Sequence, residues 1–244
     1  MGPALGNRLY PFEGCSATLR TKRLARQSRE LEEAFVNISH LGSALPREFY
    51  ERDTVAVARE LLGKQLIRAA RDGLVRGRIV ETEAYLPHGD SACHAARGKT
   101  RKNASMFGRP GWAYVYAIHS RWCFNVVTEP RGVPAAVLIR AVEPLEGVPQ
   151  MEKRRRTHRL LDLARGPARL CEAFDIDRRL DAWDLCRVQR LWIADDPQVI
   201  PSRWHILRTP RIGVTSAHDL ALRFVWSPSR FLSGSAKWNR QAVE

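Results

Sequence analysis

The chain has 244 residues, 44% of them hydrophobic, and a formal net charge of +14. That size suits one large domain or two small ones with a genuine core. No apolar run approaches the roughly 20 residues of a membrane-spanning helix, and no compact apolar stretch marks a secretory signal. Cys15, Cys93, Cys123, Cys171 and Cys186 form no CxxC pair and are odd in number. They argue for free thiols in a reducing, intracellular compartment rather than a disulfide framework. Residues 1–44 carry six Lys/Arg and four Glu, so most of the positive excess belongs to the body of the chain. A basic folded body suggests a polyanionic partner, most simply nucleic acid.

Residues 1–44 read as an N-terminal extension, flexible apart from a short helix around residues 30–36, and residues 45–244 as the folded domain. Residues 1–29 hold six basic residues and only Glu13, a pattern shared by organelle-targeting transit peptides and basic arms. Asp53 is placed to cap a helix whose Val57, Ala58, Leu61 and Leu62 share a face, with Gly63 at its C-terminal end. Residues 64–69 and 74–82 alternate around Asp72-Gly73, a hairpin signal. Residues 86–111 form a long loop, a length that is often functional. Strands over 112–118 and 122–128 flank a tight turn at 119–121, and a further strand covers 137–142. Residues 149–160, rich in Lys and Arg, read as a solvated loop or helix end. Gly166-Pro167 opens a helix with Leu170, Cys171 and Phe174 inward. Strands near 187–194, 211–215 and 221–226 complete an α+β chain of one domain. Its sheet should be mostly antiparallel, because no regular βαβ alternation occurs.

Residues 79–85, Ile-Val-Glu-Thr-Glu-Ala-Tyr, carry the first chemical signal. Alternation on a strand puts Glu81, Glu83 and Tyr85 on one face. Two carboxylates and a phenol suit a pocket that holds a flat substrate and activates water, or else the solvated face of an edge strand. Tyr114 and Tyr116 likewise share a face, and could stack on a base or simply pack a core. His94 begins a basic run of Arg97, Lys99, Arg101, Lys102 and Arg109, with no acid from 95 to 109. Such cations fit phosphate contacts that position nucleic acid without reading its sequence. Gly98, Asn103, Gly108 and Gly111, interleaved with the run, would let backbone approach a ligand closely. His88, Cys93 and His94 match no zinc spacing, so no metal is expected. Zinc-deaminase, dinucleotide, Walker and nucleophile-elbow motifs are all missing.

These residues resemble the alkyladenine (3-methyladenine) DNA glycosylase family. The likeness rests on Arg-Ile-Val-Glu-Thr-Glu-Ala-Tyr (78–85), His94, Met-Phe-Gly-Arg-Pro-Gly (106–111), Tyr-Val-Tyr (114–116) and Cys-Phe-Asn-Val-Val-Thr (123–128). Residues 138–144, 166–171 and 209–214 continue it in the family's order. The resemblance runs from about Leu45 to Gly234. It implies a curved antiparallel sheet with peripheral helices and a protruding β-hairpin. It also implies a monofunctional, cofactor-free, monomeric enzyme that flips damaged purines out of duplex DNA. The expected substrates are 3-methyladenine and 7-methylguanine, with hypoxanthine and ethenoadenine as extensions. Glu83 would be the general base and Arg140 would help hold the water and a phosphate. The backbone at Ile212 would line the water site. Tyr85, His94 and Tyr116 would sandwich the base, and Asn125 would disfavour the 2-amino group of guanine. The hairpin tip departs from the family's pattern: it is one residue short and lacks the usual wedging tyrosine. His119 falls nearest that place, with Arg121 or Trp122 as alternatives. A non-catalytic nucleic-acid-binding domain of the same fold, or a basic RNA-binding protein, are the competing readings.

Overall fold

A computed structural model describes residues 41–198, 205–235 and 239. The helix expected around 30–36 and the question of a targeting arm lie outside the described residues. All elements named below belong to the unit Ser43–Glu244.

Among the described residues, eight strands form one sheet in which every pairing is antiparallel. They are β1 (Gln65–Ala70), β2 (Gly73–Tyr85), β3 (Ala113–Ile118), β4 (Arg121–Thr128), β5 (Ala135–Glu146), β6 (Leu191–Ala194), β7 (His205–Thr209) and β8 (Arg223–Ser227). The order β3-β4-β5-β2-β1-β6 leaves β8 beside the second half of β2, with β7 outside it. The 13-residue β2 is the spine: β5 runs along one edge, while β1 and then β8 share the other. The sheet curls into a half-barrel, and the expected α+β architecture is observed.

Alternation divides the strands between two apolar layers. Val80 and Ala84 of β2, Val115 of β3, Phe124 and Val126 of β4, and Val137 and Ile139 of β5 enter the main core. Helix α1 (Arg47–Tyr50) leads into helix α2 (Thr54–Glu60), and α2 and helix α4 (Pro167–Ala173) close that core from outside. Full burial of a side chain such as Phe124 contributes about 2–3 kcal/mol. The opposite faces hold Tyr85, Tyr114, Tyr116, Val127 and Ala136, which meet Cys93 and Met106 of the long loop in a second, smaller cluster.

Local signals account for most termini. The Asp53 side chain accepts from the Ala56 amide at 2.8 Å and starts α2. Pro167 stands in the first turn of α4, where its missing N–H costs nothing. The β1–β2 and β3–β4 turns are two-residue loops; in the latter His119 (φ 45°) and Ser120 (φ 64°) are both left-handed, as a type I′ hairpin requires.

Two sequence expectations are corrected. Residues 149–160 were read as loop or helix end, but Val148–Arg155 is a helix, α3. Its cations are not simply solvated: Arg154 pairs with Asp72 and donates to the Ala173 carbonyl, and Arg155 donates to the Leu163 carbonyl and pairs with Glu172. The segment 211–215 is a loop, not a strand. The Ile212 backbone turns both its polar groups toward side chains of β2 and β5 rather than into a ladder. Among the described residues no helix is long and apolar enough to cross a membrane.

Candidate active site

Residues 79–84 of β2 are buried without a break, unlike the alternating half before them, because both faces of the strand are covered there. Glu81 and Glu83 are therefore fully enclosed acids. They point the same way, and Arg140 of β5 lies between them. The β2–β5 ladder is irregular at this point: Ile79 pairs with Val142 and Thr82 with Ile139, but Glu81 faces Ala141, so Arg140 falls out of the regular pairing.

The two acids differ in their hydrogen bonds. Glu81 accepts four: from Arg140 Nε at 3.1 Å, Arg223 Nε at 2.6 Å, Ser233 Oγ at 2.8 Å and the Ser233 amide at 2.6 Å. Three of these donors crowd Oε1 and only the Ser233 amide reaches Oε2, and the whole carboxylate is sealed from solvent. Burial by itself would raise its pKa, but Arg140, Arg223 and the Ser233 amide more than offset this and hold it below the usual value. Glu83 accepts three. Its Oε1 takes the Ile212 amide at 2.8 Å and Arg140 Nη1 at 3.1 Å, and its Oε2 takes the Tyr85 hydroxyl at 2.9 Å. One acceptor site remains on Oε2 for a further donor. Arg140 is fixed by donating also to the Ile212 carbonyl at 3.3 Å and to Ser233 Oγ. Burial opposes its charge, but Glu83 and Glu81 outweigh that and raise its pKa, so it is a permanent cation.

Tyr85 links this cluster to an aromatic cleft lined by His94, Met106, Tyr114, Tyr116, Asn125 and Ala136. His94 meets Tyr116 edge to face with centroids 4.4 Å apart, and its Nδ1 bonds the Tyr114 hydroxyl at 2.8 Å. Partial burial of the ring lowers the His94 pKa, although its outer edge reaches solvent, so the imidazole is neutral at pH 7. Burial likewise raises the phenols of Tyr85, Tyr114 and Tyr116, keeping them as donors. The cleft holds only about 10 Å³, room for about one water molecule. As it stands the cleft is too narrow to admit a planar ring. Asn125 donates from Nδ2 to the Tyr114 carbonyl at 3.0 Å, which fixes its amide at the cleft wall.

Other positions singled out in the sequence are dispersed. Arg97, Lys99, Arg101, Lys102 and Arg109 are all exposed. Lys99 lies 5.5 Å from the Phe107 ring centroid. Arg109 borders a separate surface pocket of about 290 Å³ with Trp112, Trp183 and Arg187. Gly108 and Gly111 serve packing rather than a ligand: a Cβ on Gly108 would fall 2.4 Å from the Trp112 ring, and one on Gly111 2.8 Å from Tyr50. At the hairpin tip, residues 117–121 are exposed, while Trp122 packs against the core, so Ile118, His119 and Arg121 are the groups on offer.

Sequence reasoning missed several members of the site. Arg211, buried, pairs with buried Asp90 at 2.7 Å and lies 4.7 Å from the Tyr85 ring centroid, supporting that ring from behind. Asn103 ties the basic loop together by donating to the carbonyls of His94 and Gly98. Arg223 and Ser233 complete the shell of Glu81. Apart from the short-range bonds of Asn103, these join residues more than 100 positions apart, and only the polar residue type hinted at them. Among the described residues no three His, Cys, Asp or Glu side chains gather as metal ligands.

The family described as Methylpurine-DNA glycosylase (MPG) matches residues 48–230. A protein of Methanocella arvoryzae named "Putative 3-methyladenine DNA glycosylase" is 50% identical over 184 residues, covering 73% of this chain and 88% of its own. Proteins of the same name from Rhodopirellula baltica and Mesorhizobium japonicum are 42% identical (81% and 86% coverage) and 48% identical (75% and 86%). With the buried acid–arginine cluster and the aromatic cleft lying inside the matched span, the chain belongs to the methylpurine-DNA glycosylase family, hydrolases of DNA repair.

Proposed function

We propose that this chain is a monofunctional DNA glycosylase that takes alkylated or deaminated purines out of duplex DNA and hydrolyses their N-glycosidic bond. The observation that carries this reading is Glu83. It is a fully buried carboxylate held by three donors, with one acceptor site left, and it is joined through Tyr85 to an aromatic cleft.

A purine inside a duplex is out of reach, so the target nucleotide rotates out, most cheaply where damage or mispairing has weakened its stack. The flat base then stacks between Tyr85 on one side and His94 with Tyr116 on the other. Glu83 Oε2 accepts a proton of water. The water oxygen bonds to C1′ of the sugar, the C1′–N bond breaks, and its electron pair leaves with the base. An alkylated cation departs as a neutral base, whereas a neutral purine such as hypoxanthine needs a proton. The Glu83 carboxylate also faces the oxocarbenium charge that develops on the sugar. Arg140 and the Ile212 amide fix the orientation of that carboxylate. Neutral His94 suits stacking against a cationic lesion, because a charged imidazole would repel it. Asn125 discriminates against the 2-amino group of normal guanine. The exposed cations of the 97–109 loop hold phosphates, and the tip at His119 fills the space the flipped base leaves.

Glu83→Gln keeps the shape and removes the base. Single-turnover excision of hypoxanthine from a duplex oligonucleotide should fall by about 10²–10⁴-fold, with binding of the same duplex retained. Excision at the wild-type rate by that variant removes Glu83 from the chemistry.

A further inference from the structure

The Arg140 guanidinium is divided between two acids in an unequal way. Glu81 takes its Nε edge, directly at 3.1 Å and again through Ser233, whose hydroxyl accepts from Arg140 Nε and Nη2 at 3.3 and 3.2 Å and donates to Glu81. Glu83 receives a single Nη1 contact, which it shares with the Ile212 carbonyl. Glu81 is fully enclosed, and its partners are Arg140, Arg223 and Ser233 rather than a residue of the aromatic cleft. Resting on the reading of Glu83 as general base, we propose that Glu81 is a positioning residue: together with Ser233 it anchors Arg140 by the Nε edge, prevents a two-point grip on Glu83, and so keeps Glu83 basic enough to accept the proton of water.

The charge arrangement supports this. Glu81, Glu83, Arg140 and Arg223 are two anions and two cations in one buried cluster. The remaining titratable groups facing Glu83 are Tyr85 of β2, Tyr116 of β3, Cys123 of β4 and Arg211 of the 211–215 loop, and the first three are neutral near pH 7. Removing the charge of Glu81 leaves Glu83 as the one carboxylate paired with Arg140 among the described residues. Arginine prefers a bidentate fork on a carboxylate, and the Glu81–Ser233 anchor on the Nε edge, helped by the Ile212 carbonyl at Nη1, turns Arg140 away from that geometry. The segment after β8 therefore acts on the chemistry at second hand: the Ser233 amide and hydroxyl hold Glu81, Glu81 holds Arg140, and Arg140 meters Glu83.

The test uses the full chain, a duplex carrying one 7-methylguanine, single-turnover excision across pH 5–9 (about that range spans the acidic limb of a carboxylate base), and binding by fluorescence anisotropy. Glu81→Gln should lower the plateau rate by about ten-fold with binding unchanged, and move the acidic limb of the pH–rate profile to lower pH by about half a unit or more. Glu81→Asp, which keeps the charge, should recover most of the rate and return the limb toward its wild-type position. Ser233→Ala removes the hydroxyl anchor but not the carboxylate, and should move rate and limb the same way by a smaller amount. If Glu81→Gln fails to fold, Ser233→Ala carries the test. An acidic limb that stays at its wild-type position in the folded variants, whether or not the rate falls, overturns the proposal, because a purely structural role lowers rate and melting temperature without displacing it. A wild-type chain that releases no base at all overturns the glycosylase reading instead.

Discussion

Arg140, Arg211 and Arg223 are buried and matched to Glu81, Glu83 and Asp90, whereas Arg97, Lys99, Arg101, Lys102 and Arg109 stand in solvent and make no ion pair among the described residues. The same residue types thus do opposite work within one fold. Buried cations have their partners built in, are shielded from salt, and hold geometry; taking one partner away leaves a costly charge behind. Exposed cations without internal partners are free to meet phosphates that come and go, and their attraction falls as salt rises. The contrast separates the residues expected to set rate from those expected to set affinity, and each half can be attacked on its own.

The largest effect is expected in the buried half. Glu81→Ala takes a buried carboxylate partner from both Arg223 and Arg140, and should cost about 3–5 kcal/mol of stability, read from urea unfolding and little changed by salt. A loss under about 1 kcal/mol would mean the cluster behaves like surface charge. Next comes the exposed half. Replacing Arg97, Lys99 and Arg101 together by Ala should leave stability within about 0.5 kcal/mol while reducing the steepness of DNA binding against log salt by roughly two to three. An unchanged salt slope would move the phosphate contacts elsewhere.

Acid sharpens the same contrast more gently. The pKa of Glu81 is lowered in the fold, because its arginine and amide partners outweigh burial. The stabilisation from its ionised form is therefore complete above the ordinary carboxylate value of about 4.3 and is lost as pH falls through the lower folded value. Urea midpoints measured down that range should fall less steeply for Glu81→Gln than for the wild type; parallel curves would contradict the assignment. The smallest effect is expected at the tip. His119 is exposed and packs on nothing in the main core, so His119→Ala should leave stability unchanged and slow excision by about five- to ten-fold, the lower part of the range of about 1–3 kcal/mol for a ring stacked on a base. A 2-aminopurine duplex, bright when its base unstacks, reports the flipping step, and unchanged fluorescence would shift the role to Ile118 or Arg121.

How much of this was legible in the sequence depends on whether a feature is local. The β2 strand was readable because a period of two needs only seven residues, and the cap at Asp53 and the Gly166-Pro167 start are equally local. Alternation put Glu81 and Glu83 on one face but had no means of telling them apart. Their difference lies in donors from β5, β8 and the 211–215 and 232–235 segments, more than 55 residues away in every case. The segment at 211–215 looked like a strand because Ile212 and Val214 alternate, yet its backbone is committed to Glu83 and Arg140. Residues 149–160 looked solvated because Lys153, Arg154, Arg155 and Arg156 dominate the pattern, while Met151 anchors α3 in the core. The Arg211–Asp90 pair behind Tyr85 spans 121 positions and left no periodic trace.

The central claim is that the cluster around Glu83 hydrolyses a glycosidic bond without touching the DNA backbone. The most direct measurement follows a duplex with one 7-methylguanine and the purified chain under single-turnover conditions, analysing the free base and the strand separately. Free 7-methylguanine should appear together with an abasic site, on a strand that stays whole until alkali is added. No free base, or strand cleavage before alkali, would contradict it.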